Sequence, residues 1–245
     1  MNGFNWGLPE QASTYAPHID WGIGILHWVM VAMFVLWGSF TLYCLVKYRA
    51  RTGVRAQYEE AGHFWALTPD LAVVAFELIL IFVYAIPRWN AMRREPPAEA
   101  ASTVVHVVAE QFAWNVHYAG PDGKFGRTMP SLMNMNNPIG LDATDPAAAD
   151  DVVTQNEIHA PLGKPVLVYL TSKDVIHSFF IPEFRMKTDA VPGLRVPLWF
   201  EPTKAGQYEI GCAQLCGIAH YAMRGDFFVL EPKAYDAWLK AQVKS

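Results

Sequence analysis

The run GCAQLCGIAHYAM (residues 211–223) sets Cys212, Cys216, His220 and Met223 in a Cys-x3-Cys-x3-His-x2-Met pattern, in a chain with only three cysteines. A disulfide between Cys212 and Cys216 is open at this spacing, but it would leave His220 and Met223 without a role. Zinc favours four Cys or His ligands and has little use for a thioether. Thiolate, imidazole and thioether together suit copper, as in His2Cys sites with a weak axial methionine. Such a site needs a second histidine, and His177 in DVIHSFF is the candidate. One copper uses one thiolate, so the second cysteine would allow both sulfurs to bridge a pair of coppers.

The cluster lies between GQYEIG and RGDFFVL, two runs that read as strands, so a rigid sheet can hold it in fixed geometry. Other runs of the same kind are STVVHVVAEQFAWNVHY (102–118), PVLVYLTS, VIHSFFIP and VPLWFEP, with GPDGKFG after the first as a hairpin-type turn. Short strands at this density over residues 96–245 predict a Greek-key β-sandwich or barrel, closed by an amphipathic helix at 232–242. Residues 129–157 are polar, rich in Asn and Asp, and read as a long surface insertion.

Residues 1–95 differ in kind. The chain is 52% hydrophobic with 9 tryptophans and 17% charge, and the apolar residues concentrate near the N-terminus. Residues 23–46 carry no Lys, Arg, Asp or Glu, and 71–86 carry only Glu77. With their flanks they predict two membrane spans, about 23–47 and 68–89, long enough to cross roughly 30 Å of hydrocarbon. Thr68-Pro69-Asp70 reads as the start of the second helix, with Thr68 as cap and Pro69 in the first turn. Lys47, Arg49, Arg51 and Arg55 follow the first span, and no Lys or Arg precedes it. The positive connector belongs in the cytoplasm, so both termini are expected on the extracytoplasmic side of a bacterial-type inner membrane. The REPPAEAAS linker (94–102) separates the hairpin from the β-domain. A net charge of −4 without a long basic block gives no support for nucleic-acid binding.

The loop CAQLCGIAHYAM, the upstream SKDVIHSFFIP and MKTDAVPG in the same order, and the two N-terminal spans resemble cytochrome c oxidase subunit II over nearly the whole chain. The resemblance implies an α+β membrane protein whose soluble domain is cupredoxin-like and holds the binuclear copper centre CuA. It implies that Cys212 and Cys216 bridge two coppers, that His177 and Met223 complete one, and that His220 with the backbone carbonyl of Gln214 completes the other. Many members have glutamate at the position of Gln214, where its carboxylate also helps hold magnesium; Gln214 offers no carboxylate, which puts magnesium in doubt. EQFAWNVHY resembles the patch where cytochrome c delivers its electron, with Phe112 at the position of the usual tryptophan and Trp114 two residues on. A strand-packing role for Phe112 is the alternative. Asp122, Asp174, Glu183 and Asp189 are expected as acidic surface that could attract a basic donor.

Glu77 is costly in lipid and expected to face protein or water, in a proton path or in a structural hydrogen-bonded pair. The remaining histidines and Cys44 read as structural or solvated, and Met129, Met133 and Met135 as an ordinary loop. The expected function is an electron-input subunit. It accepts electrons from a c-type cytochrome and passes them to haem in the catalytic subunit I, among other membrane subunits, for O2 reduction coupled to proton translocation. The chain has no Cys-x2-Cys-His haem attachment motif. A membrane-anchored copper carrier or assembly protein is the alternative, distinguished by exchangeable cuprous copper.

Overall fold

The computed structural model describes residues 7–55, 58 and 62–243. Their contacts divide into two compact units, one containing Asp20–Glu95 and the other Gly7–Ile19 with residues 96–243.

The helix α1 (Ala16–Lys47) enters the first unit at Asp20 and is followed there by α2 (His63–Ile79), a π-helical Leu80–Ala85 and α3 (Ile86–Arg93). None of the most apolar stretch of either span is buried by the chain, and Trp28, Phe34, Phe82 and Val83 project outward. Hydrocarbon is the solvent that suits such surfaces. Gly22 lets the helices approach, since a Cβ there would lie 2.8 Å from the Tyr84 ring, and Trp21 packs on Tyr84 at 4.8 Å.

The second helix starts earlier than Thr68-Pro69-Asp70 suggested. His63 is its first residue, Pro69 lies inside it, and Thr68 Oγ1 donates back to the Phe64 carbonyl at 3.0 Å rather than capping. Gly62 is the helix breaker, and its carbonyl accepts from Trp65 and Ala66. The π segment has a cause in Pro87, which cannot donate to the Val83 carbonyl and crowds it; the wider turn lets Ile86 bond the Ile81 carbonyl instead.

The second unit is a β-sandwich. Its strands are β1 (Thr103–Glu110), β2 (Ala113–Tyr118), β3 (Val152–Gln155), β4 (Glu157–Pro161), β5 (Val166–Ser172), β6 (His177–Ile181), β7 (Met186–Ala190), β8 (Val196–Phe200), β9 (Gly206–Cys212) and β10 (Arg224–Leu230), followed by α4 (Pro232–Gln242). One sheet runs β3-β2-β1-β5-β8 and the other β4-β10-β9-β6-β7. Val105, Val107 and Ala109 on β1 and Val166, Val168 and Leu170 on β5 fill the space between the sheets. Phe184, Phe200, Tyr208 and Phe227 close one region of that core, with ring centroids 5.0–5.5 Å apart.

Two turn expectations are corrected. The run 102–118 is a hairpin, with Ala109 opposite Trp114 and the turn at Gln111 and Phe112. GPDGKFG is a bend into the following loop and joins no strand pair; the Asp122 N–H donates to Asp150, and Gly120 lies against the Asp150 carbonyl. The insertion is also shorter than 129–157, because Val152–Gln155 pairs with β2 and Glu157 opens a strand beside β10. Its Asn and Asp side chains stitch turns: Asn137 bonds both main-chain groups of Leu141, and Asp145 accepts from Arg127 and Ala147. The loop is fastened to the outer face of the first sheet. His117 Nε2 meets Asp151 at 2.7 Å, and Phe125 stacks on His106 at 3.8 Å.

Residues 7–19 run along the same unit. Ala12 donates to the Glu183 carbonyl, Thr14 to that of Glu201, and Arg185 donates to the Pro9 carbonyl at 2.6 Å.

Candidate metal centre

The β6–β9 pairing places Phe179 opposite Cys212, so His177 at the start of β6 stands beside the end of β9. The chain then loops through residues 213–222 and returns into β10, with Cys212 N–H bonded to the Met223 carbonyl at 3.2 Å. Sheet register therefore brings the upstream histidine to the cysteine loop.

The donor atoms converge. Cys212 Sγ lies 3.8 Å from Cys216 Sγ, 4.0 Å from His177 Nδ1 and 3.1 Å from the Gln214 carbonyl oxygen. Cys216 Sγ is 3.6 Å from His220 Nδ1 and 3.8 Å from Met223 Sδ, which is 3.1 Å from His177 Nδ1. His177, Cys216 and Met223 are buried, whereas Cys212 and His220 are half-buried. Both cysteines are free thiols. All six donors singled out in the sequence lie in one cluster.

The electrostatics call for a cation. Burial, followed by the neighbouring Cys212, pushes the Cys216 thiol up to about 11. Two thiolates this close are stable only beside positive charge, and a metal ion that displaces the protons supplies it. The sulfur separation is shorter than two metal–thiolate bonds of about 2.3 Å, so one ion can reach both sulfurs. Two thiolates, two imidazole nitrogens and a thioether make a soft set that fits copper.

Asp174 holds the centre from behind. Its Oδ1 accepts from His177 Nε2 at 2.8 Å, which leaves Nδ1 facing the sulfurs. Burial opposes its ionisation, but hydrogen bonds from His177 and from the Gln111 and Val175 N–H groups outweigh that and hold its carboxyl below the ordinary value. Asp174 is therefore not plain acidic surface as the sequence suggested. Glu183 lies beside the N-terminal segment, Asp189 accepts from Ser178 at 2.6 Å, and Asp122 is exposed.

The two aromatic candidates separate. Trp114 is fully buried, edge-on to His177 at 6.2 Å and to Phe179 at 5.5 Å. Phe112 is half-buried at the hairpin turn, its ring against Gly217 in the cysteine loop. Glu77 lies exposed on α2, in the other unit. Gln111 went unnoticed in the sequence, although it donates to both Asp174 and the Cys216 carbonyl. The inward residues are odd-numbered through Ala109 and even-numbered from Trp114, as the intervening turn produces, but Val104, Val108 and Phe112 hide that switch in the sequence.

The family described as cytochrome c oxidase subunit II, periplasmic domain, matches residues 103–226. The chain is 34% identical over 241 residues to the alternative cytochrome c oxidase subunit 2 of Bradyrhizobium diazoefficiens, covering 97% of this chain and 81% of that one. It is 30% identical over 261 residues to cytochrome c oxidase subunit 2 of Thermostichus vulcanus, covering 94% and 77%. Among solved structures, the periplasmic domain of subunit II of cytochrome oxidase of Bradyrhizobium japonicum is 28% identical, with a TM-score of 0.45 over 61% of this chain and 98% of that one.

Proposed function

This chain belongs to the cytochrome c oxidase subunit II family, and from that premise we propose that it is the electron-input subunit of a haem-copper oxidase. It takes single electrons from a c-type cytochrome at a pair of coppers and passes them to haem in the catalytic subunit I, where O2 reduction is coupled to proton translocation. The observation that carries this reading is the convergence of Cys212, Cys216, His177, His220, Met223 and the Gln214 carbonyl on one small volume. In this reading Cys212, Cys216, His177, Met223, His220 and the Gln214 carbonyl would together hold the copper pair, which would supply reversible one-electron redox chemistry when bound. With an amide at position 214, the reading includes no magnesium carboxylate from that residue.

The chain's own groups keep the donors fixed. Asp174 sets the His177 tautomer, the β6–β9 ladder fixes His177 against Cys212, and burial of Cys216 and Met223 excludes water. Phe112 is the outer aromatic on the route to the centre and Trp114 its buried support. Glu77 is proposed for a proton path or for a structural hydrogen-bonded pair at the boundary with the catalytic subunit. Unchanged proton-coupled turnover in Glu77→Gln would remove the proton path.

Hydrogen bonds from the N-terminal segment to the β-unit support placing both on one side of the membrane, and two spans are consistent with this. With the basic connector in the cytoplasm, that side is the periplasm of the inner membrane.

The test is copper content and electron paramagnetic resonance of the full-length chain in detergent. About two coppers per chain with hyperfine structure from two equivalent nuclei is expected. A single ion, or silent cuprous copper that oxidant cannot convert to the paired signal, would instead identify a copper carrier.

A further inference from the structure

We infer that Gln111 is a positioning residue for the metal centre, clamping the middle of the cysteine loop to the segment that carries Asp174 and His177. The inference rests on the copper reading above and extends it to a residue outside the donor set. Gln111 occupies the two-residue turn of the β1–β2 hairpin, on neither of the strands that carry the ligands. Its main-chain N–H donates to Asp174 Oδ2 at 2.7 Å, while Asp174 Oδ1 holds His177 Nε2. Its side-chain Nε2 donates to the Cys216 carbonyl at 2.6 Å. One residue thus connects the arm holding His177 to the arm holding Cys216.

The loop needs such a connection. Its base is tied by Ala213 to the Ser178 carbonyl and by Cys212 to that of Met223. In its middle Cys216 is buried and Gly217 meets the Phe112 ring, but the flanking Leu215 and Ile218 side chains are 77% and 94% exposed and add little packing. Gly217 shows that the contact is built in. Its φ of +145° is a conformation that favours glycine, and a Cβ there would lie 2.7 Å from Gln111 Nε2 and 3.0 Å from Phe112 Cζ. A neutral amide is the right donor: a carboxylate would face the Cys216 carbonyl with no proton to share, and an apolar group would leave that carbonyl without its partner. A sulfur donor on an untethered loop would shift between redox states and lose metal more readily, so the clamp serves both retention and electron transfer.

The test uses the full-length protein in detergent with Gln111→Met and Gln111→Glu, both of similar length and at an exposed position outside the core. Three readouts are taken: transfer of cuprous copper to a chelator, the hyperfine pattern, and amide exchange of residues 215–219 in the metal-free protein. Both variants should release copper about 10–100-fold faster than the parent, the usual cost of losing an outer hydrogen bond to a ligand. They should also change the hyperfine splitting and exchange faster at 215–219, with β5 and β8 amides unchanged. A turn residue of purely structural value would leave the hyperfine pattern and the loop exchange at parental values, and that outcome overturns the inference. Absence of a paired signal in the parent itself would defeat the copper reading, while loop exchange in the metal-free chain would still decide the clamp.

Discussion

His177 presents one ring nitrogen to the sulfur cluster because the other is already committed. With Nε2 held by Asp174, Nδ1 faces Met223 and Cys212 without a choice of tautomer. Met223 is buried and could be read as core, so its role is best separated by a substitution that conserves volume. Met223→Leu should cost the metal-free protein less than about 1.5 kcal/mol in thermal or denaturant unfolding. The same variant should alter the paired copper spectrum. An unchanged spectrum would make Met223 packing alone.

The elements carry the rest of the site by register. Trp114 on β2 backs His177 from inside the sandwich, so Trp114→Ala should cost about 3–5 kcal/mol in denaturant unfolding, the range for a deleted core aromatic. A loss below 1 kcal/mol would mean that the site tolerates collapse there.

On the outer face of the same sheet, burial and then the Arg195 charge lower His106 to about 3, from an ordinary 6.5. Burial also lowers His117, with Asp151 partly opposing. The unfolded chain therefore binds more protons than the folded one between about pH 6.5 and pH 3, by up to about one at His106, and His117 adds to the difference in the same direction. Stability should fall as pH drops through that window. Thermal melting of the β-unit recorded from pH 7 to pH 4 should show this, and His106→Phe should flatten the slope while keeping the stack on Phe125. An equal slope in the variant would place the proton uptake elsewhere.

For the whole molecule, the proposed topology puts the β-domain and the segment before the first span on the same side. Residues 7–19 hydrogen-bond to the β-unit, and the connector after α1 carries the basic residues. A membrane-impermeant maleimide should label Ser131→Cys, on the insertion, from the periplasm. It should label Tyr58→Cys, in the connector, only after the inner membrane is opened. Both comparisons are made against the parent with its native cysteines. The reverse pattern would invert the topology.

The sequence by itself marked out the cluster of soft donors, the two spans, the β-rich domain and the closing helix. Each rests on local chemistry: soft donors at short spacing, charge-free apolar runs, alternating β-branched residues, and Pro232 at the start of an amphipathic turn. Only the tertiary structure decided which groups support those donors. Gln111, Asp174 and Gly217 belong to three separate segments, and no local pattern marks a hydrogen bond between a hairpin turn and a cysteine loop. The same limit explains the insertion, whose Asn and Asp residues read as solvated until their turns are closed. It also explains the second helix, where a proline that looked like a start lies inside a helix that begins at His63. Spacing along the chain specifies chemistry, while the packing of strands specifies which neighbours hold it still.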